Sequence, residues 1–389
     1  MSQVSDERRV SSFELFFDLV FVFAFTQVTA YLAHETTWTG LGHGLLVFAM
    51  LWWAWGAYAW LTNAVPTDGL PRLVMLGAMG SMLVVALAVP TAFDGSGVAF
   101  AVAYLLVMGF HALLFAVAGE RRAMTRQAIL RLGPTNLVPG LLLVVAGLVE
   151  GDVRAGLWLL AVVVTYAGPY ISGMEGWAVD VPHFVERHAL ILIIALGESI
   201  VAIGAGATGD VDLELAVTAL LAVTLASGMW WAYFTGENDR AEAALRERQG
   251  LGQAVLARDI YSYLHIPLTL GIILAALGIK LAIGHPDDTL PDMAAVALGG
   301  GVAAFFGALA AIRLRVGLRP KPTEVGAFVA ALVVIPLATE VTSSVALAML
   351  AAVTVVAALA DHVGRNTPTP DRRPDDEQAD PAGDPATPT

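Results

Sequence analysis

Three carboxylates, Glu14, Asp18 and Glu198, stand inside long apolar stretches, and a carboxylate in such a setting can hold a proton or a cation. Glu14 and Asp18 are four apart, so on a helix they share one face a turn from each other. Glu198 follows Arg187 by about 16 Å of helical rise. An unpaired acid at the centre of a span costs at least about 2.5 kcal/mol, so all three must face other helices and find partners. Two uses are open. They can form an ion or solute site, with Ser199 and Gln27 as further polar ligands. Or they can hold helices together, accepting hydrogen bonds from Ser199, Thr26, Gln27, tryptophan indoles or an arginine at the rim.

Other chemistry is thinner. His111 and His265 fall inside apolar stretches and could relay protons, though a lone membrane histidine is commonly a packing residue. His183, Glu186 and His188 lie close in sequence, but two histidines at i and i+5 do not share a helix face, so no metal site is expected. With no cysteine, thiolate zinc sites, Fe–S clusters and cysteine nucleophiles are excluded by inventory, and no cofactor is implied. No HExxH, nucleophile elbow or P-loop occurs, so an intramembrane lipid enzyme would have to rely on Glu14 and Asp18 as an acid/base pair. No enzyme is expected.

The elements that carry these residues must be membrane helices. Of 389 residues, 57% are hydrophobic and 14% charged, and the mean hydropathy is +0.71, a balance that water does not tolerate on a globular surface. Apolar blocks of span length predict helices at 13–33, 41–62, 71–92, 97–119, 132–149, 155–174, 187–206, 212–234, 260–283, 293–312, 324–340 and 343–361. Pro139 and Pro336 interrupt the fifth and eleventh. The opening MSQVSDERRV reads as the flank of a retained anchor helix. With that flank in the cytosol, every one of the 21 Lys and Arg except Arg154 and Lys280 falls on the cytosolic side, as the positive-inside rule requires. The outer loops carry acids such as Glu35, Asp94, Asp210 and Asp287, which would gather cations or simply remain where bases are excluded. Basic and aromatic residues are not interleaved as a nucleic-acid groove requires.

The chain also resembles itself. Glu7, Arg8, Arg9 lead into a helix bearing Asp18, and Glu186, Arg187, His188 lead into one bearing Glu198. The following helix carries WWAW from Trp52 and Trp53 in one case and WWAY from Trp230 and Trp231 in the other. Arg121 with Arg122, and Arg313 with Arg315, close the fourth span of each set. This predicts an all-α bundle of about twelve spans in two parallel six-helix repeats, residues 1–180 and 181–363, with both termini cytosolic. Residues 364–389, rich in proline and acid without Leu, Ile, Val, Met or Phe, read as a disordered cytosolic tail. The Trp pairs suit interfacial or packing roles, and Gly197, Gly204 and Gly206 suit close helix approach.

FELFFDLVFVFAFTQ at 13–27 and HFVERHALILIIALGESIVAIG at 183–204 resemble the two signature segments of the bacterial low temperature requirement A (LtrA) family. The likeness maps Glu14, Phe17, Asp18, Glu186, Arg187, His188, Gly197, Glu198 and Ser199 onto the family's motifs, with Ala189 where many members have glycine. It implies a multi-span protein of the bacterial cytoplasmic membrane with a role in growth at low temperature, and no settled activity. The residues themselves favour a transporter or channel for a small ion or solute in which Asp18 and Glu198 share a central cavity. A non-transporting membrane scaffold or stress-response factor is the alternative. Beyond the bilayer and such a solute no partner is implied.

Overall fold

Hydrophobic residues ring most of these segments rather than lining one stripe, so the helices bury one side in protein and leave the other for lipid. The computed structural model describes residues 9–65, 68–119, 126–207 and 210–366. They form α1 (Ser12–His34), α2 (Trp38–Ala64), α3 (Leu70–Ala88), α4 (Gly97–Gly119), α5 (Arg126–Gly147), α6 (Gly151–Ser172) and α7 (Val181–Gly206). There follow α8 (Leu213–Phe234), α9 (Glu237–Arg246), α10 (Gly250–Ala257), α11 (His265–Gly284), α12 (Asp292–Arg315), α13 (Pro322–Leu337) and α14 (Ser343–Asn366). A 3-10 turn extends α3, and a π-helical stretch, Arg258–Leu264, joins α10 to α11. Among the described residues there is no sheet, and 10 helical stretches are long and apolar enough to cross a membrane. Two shorter apolar helices cover Asn136–Gly147 and Pro322–Leu337.

The prolines behave as their positions dictate. α5 runs through Pro139, whereas Pro336 lies one residue before the end of α13. The segment between the eighth and ninth expected spans, read from sequence as a loop, is helical. Arg240 pairs with Glu237 and Arg246 with Glu242, both at 2.7 Å, the i,i+3 and i,i+4 spacing that supports an exposed helix. The ninth span accordingly begins at Gly250 rather than 260. Glu7, Arg8, Arg121, Arg122 and the tail from 367 lie outside the described residues, and 364–366 continue α14.

Packing follows one order twice. α1 lies on α2 and α3, α3 on α4, α4 on α5 and α5 on α6, with α2 against α4 and α6. α7 lies on α8 and α11, α11 on α12, α12 on α13 and α13 on α14, with α8 against α12 and α14. Buried side chains gather in two cores, one filled mainly from α1–α6 and one from α7–α14. The cores interlock at a seam, where Trp60 enters the second and Ile191, Ile273 and Leu277 enter the first.

The two ends of the bundle differ in charge. At the end where α1 begins, Glu237 receives Arg313 and Lys321 at 2.9 Å each, and Asp259 receives Arg315 at 2.6 Å. Lys321 also reaches Asp361 at 2.5 Å, so ion pairs tie α9, α12, α13 and α14 together. At the opposite end, where acids dominate, Arg154 donates to the carbonyls of Val149 (2.7 Å) and Phe93. One of the two basic residues that depart from the charge rule is thereby tied to backbone.

α11 is among the most enclosed helices, and it packs closely on α12. A Cβ on Gly271 would lie 2.5 Å from the Gly301 carbonyl, and one on Gly301 would lie 2.6 Å from the Gly271 carbonyl. Backbone meets backbone there, so a side chain must push the helices apart. Gly271→Val or Gly301→Val is expected to lower stability by about 1–3 kcal/mol, read as a reduced Tm in detergent. Gly197→Ala, where a Cβ meets nothing within 4 Å, is expected to leave Tm unchanged.

Candidate functional site

Ser11 starts α1 through a capping box. Its hydroxyl accepts the Glu14 backbone N–H at 3.3 Å, and the Glu14 carboxylate accepts the Ser11 N–H at 2.8 Å. This fixes Glu14 with its second oxygen turned toward α7, where the His183 imidazole Nε2 lies 2.9 Å away. One turn further along both helices, the Arg187 guanidinium donates to Asp18 Oδ1 at 2.7 Å, lies 3.6 Å from Glu14 Oε1, and donates to the Thr62 hydroxyl. The Trp55 indole also donates to Asp18 Oδ1 at 3.1 Å. Glu14, Asp18, His183 and Arg187 are each at most 1% exposed.

This cluster is braced from three sides. The Val10 N–H donates to the Glu186 carboxylate at 3.0 Å. The Asn63 side chain pairs with both backbone groups of Asp180, at 3.1 and 2.9 Å, pinning the end of α2 to the start of α7. Phe17 packs on Tyr58 with ring centroids 4.9 Å apart. His188 is bonded to the Phe184 carbonyl at 2.8 Å and stands edge-on to Trp55, so it is a packing residue here. Three polar atoms in the cluster, Asp18 Oδ2, Arg187 Nε and His183 Nδ1, are buried without a hydrogen-bond partner.

Glu198 lies elsewhere. It follows Arg187 on α7 by about 16 Å of rise and accepts the Thr26 hydroxyl of α1 at 2.6 Å. Thr29, about a turn further along α1, donates its hydroxyl to the Phe25 carbonyl at 3.3 Å, and the Lys280 charge on α11 acts on the carboxylate. Ser199 is buried beside it and Gln27 is half-buried. The shared cavity expected for Asp18 and Glu198 is not what the structure brings together. Asp18 is held level with Arg187, and Glu198 level with Thr26. The pairs Glu14–His183, Asp18–Arg187 and Thr26–Glu198 ascend together, so α1 and α7 run parallel.

The remaining sequence candidates separate. Trp52 is buried and donates to the Ser262 carbonyl at 3.1 Å, and Trp53 is half-buried. Trp230 and Trp231 are 43% and 37% exposed on the outer surface of α8, so the two tryptophan pairs occupy unlike surroundings. Of the three glycines read as contact points on α7, Gly206 alone abuts a neighbour, with a Cβ position 2.6 Å from the Lys280 carbonyl. His111 bonds the Ala57 carbonyl at 3.1 Å, and His265 bonds Tyr233 and the Ile260 carbonyl. Thr62 carries a contact that the sequence reading did not assign to it, and Trp55 fills a part read there only as an unspecified indole. The S-x-x-E spacing of Ser11 and Glu14 was a local signal that could have shown Glu14 to be part of the cap of the helix it begins.

The sequence profile described as Bacterial low temperature requirement A protein (LtrA) matches residues 9–359. The chain belongs to the LtrA family. It is also 33% identical over 295 residues, 72% of this chain and 71% of the relative, to the uncharacterized protein RA0937 of Rhizobium meliloti (strain 1021). No solved structure matches it. Both motif stretches of this LtrA chain lie within the match, and the structure sets them side by side as α1 and α7.

Removing the guanidinium strands two carboxylates in a sealed, low-dielectric site. In the LtrA chain, Arg187→Met is expected to cost about 3–5 kcal/mol, measured as a lower Tm in detergent. Combining it with Asp18→Asn and Glu14→Gln is expected to restore part of that loss, because no net charge is then left unpaired.

Proposed function

We propose that this LtrA protein is a transporter or channel for a small ion or solute in the bacterial cytoplasmic membrane. We read it as twelve spans in two parallel six-helix repeats, residues 1–180 and 181–363, with both termini cytosolic. The recurring order of helix neighbours, the parallel run of α1 and α7, and the gathering of basic residues at one end support that layout.

The observation that carries the reading is the setting of Glu198. The Glu198 carboxylate and the Thr26 hydroxyl from facing helices form an oxygen-bearing spot between α1 and α7, the donor type that hard cations and protons use. Lys280, whose charge acts on Glu198, also lines an open pocket at the acidic end with Ala30, Ala33, His34 and His285. A cation or proton entering there meets Glu198 after about two helical turns. Toward the basic end, the Asp18–Arg187–Glu14–His183 cluster closes the way, so we assign Asp18 and Glu14 a gating and positioning part rather than a place in the ion site.

The complete burial of that cluster also favours a second reading, a membrane scaffold whose acids only bind helices together. Purified protein in proteoliposomes under H⁺, K⁺ and Na⁺ gradients separates the two. Glu198→Gln is expected to abolish flux while changing stability by no more than about 1 kcal/mol, read as a near-parental Tm, since Thr26 can still donate to an amide oxygen. A native chain that moves none of these ions defeats the transport reading. For the layout, a single cysteine at Gly95 is expected to react with an impermeant thiol reagent from outside the cell, and one at Glu247 only after lysis.

A further inference from the structure

At the basic end of the bundle, Asp259 is clasped by two guanidiniums. Arg258 donates to its Oδ1 from Nε at 2.9 Å and from Nη2 at 2.7 Å, and Arg315 donates to its Oδ2 from Nε at 2.8 Å and from Nη2 at 2.6 Å. Both carboxylate oxygens are thereby taken. Among the described residues neither arginine forms an ion pair with any other acid, so two positive charges face one negative and one is left over. Nη1 of each guanidinium carries no hydrogen bond among the described residues, which leaves its two N–H groups for a partner outside the chain. The Arg315 side chain is 34% exposed, so such a partner can reach it.

The level of this pair is that of a membrane surface. Arg315 is the last residue of α12, and Tyr170, two residues from the end of α6, lies under Arg258 with its ring centre 4.2 Å from the guanidinium carbon. Tyr170 is 61% exposed, and its neighbour Ile171 and the residue before Arg315, Leu314, are exposed as well. Tyrosine and arginine beside exposed aliphatic side chains at the end of a span suit the depth at which acyl chains give way to headgroups. The platform is fixed in advance. Tyr170 packs on Tyr263 with ring centres 5.3 Å apart, and the Tyr263 hydroxyl donates to the Tyr166 carbonyl at 2.7 Å. Asp259 on one side and a ring on the other thus orient Arg258 before any ligand arrives.

These features select the ligand by charge and by shape. A guanidinium pair with one charge in surplus suits a phosphodiester, which accepts several N–H bonds and carries one negative charge. The exposed apolar side chains suit acyl chains, and a soluble phosphate would leave them uncovered. We propose that Arg258 and Arg315 bind the phosphodiester of an anionic glycerophospholipid of the inner leaflet, its chains lying along Tyr170, Ile171 and Leu314. Tyr170 comes from the first half of the bundle and the two arginines from the second, so the lipid spans the seam at the cytosolic rim. The assignment to the inner leaflet rests on the cytosolic placement of the basic end. It does not rest on transport, and binding in detergent is read without reference to orientation, so the two readings fail separately.

The test is native mass spectrometry of the full-length chain, purified in detergent and incubated with equimolar dioleoylphosphatidylglycerol and dioleoylphosphatidylcholine. Retention of phosphatidylglycerol is expected to exceed that of phosphatidylcholine about tenfold, and Arg315→Gln is expected to lower it about tenfold. Arg319→Gln removes the same charge from an exposed side chain of the same rim and is expected to leave retention unchanged, which separates a built site from general attraction to a basic surface. Excess glycerol 3-phosphate, a headgroup without chains, is expected to displace none of the lipid. Equal retention of the two lipids, parental retention in Arg315→Gln, an equal loss in Arg319→Gln, or displacement by glycerol 3-phosphate would each overturn the assignment. If Arg315→Gln does not fold, the ranking of the two lipids on the native chain and the displacement measurement decide.

Discussion

A guanidinium with no exposed surface, facing two carboxylates from a different helix, is the interaction on which this bundle depends. Neither side is tolerable alone in oil, since burying one ion without its partner costs several kcal/mol. Together they demand that α1 and α7 lie parallel at one fixed register. The Thr62 hydroxyl and the Trp55 indole bring α2 into the same arrangement, so three helices from the two cores converge on one charged knot. Whether that knot adds stability over an apolar core is secondary, because alternatives that separate the charges are far worse. It specifies the packing more than it strengthens it.

Once α1 and α7 are set, the level of every other polar group on them follows. Glu198 must fall beside Thr26, and the seam must place α11 against both helices. The acidic end carries an open pocket lined by Lys280 and His34, whereas the basic end holds the knot and is laced by ion pairs on Glu237 and Asp259. The asymmetry between the two ends thus comes from where charge could be matched within the protein.

Much of the fold was legible because bilayer solvation leaves few options. Spans show themselves as apolar blocks, and helices must satisfy their own backbones. The S-x-x-E cap at Ser11 and the exposed helix Glu237–Arg246 follow equally from local rules, though the latter was read as loop because it is too polar to span. Of the partners of the acids, Thr26 was legible by identity, and the indole and the arginine by type alone. An arginine at the rim, an indole and a threonine were the expected donors, and Arg187, Trp55 and Thr26 fill those parts. What sequence could not give was level. A self-comparison aligned Asp18 with Glu198, but contact between helices depends on their axial offset, and that is set by the Arg187 knot rather than by homology of position. The same limit hid the π-helical stretch, whose geometry answers to the two indoles that cross the seam.

The charged knot joins residues separated by 169 positions, and that distance bears on how the chain is made. At about 5–20 residues per second of synthesis, α1 spends roughly 8–34 s at the ribosome exit and insertion machinery before Arg187 is available. During that interval Asp18 must be sheltered by water, lipid headgroups or the insertion apparatus, and the first half cannot settle until the second has begun to arrive. Biogenesis of this molecule is therefore a waiting process, in which the newborn amino-terminal helix is held for a counter-ion not yet translated.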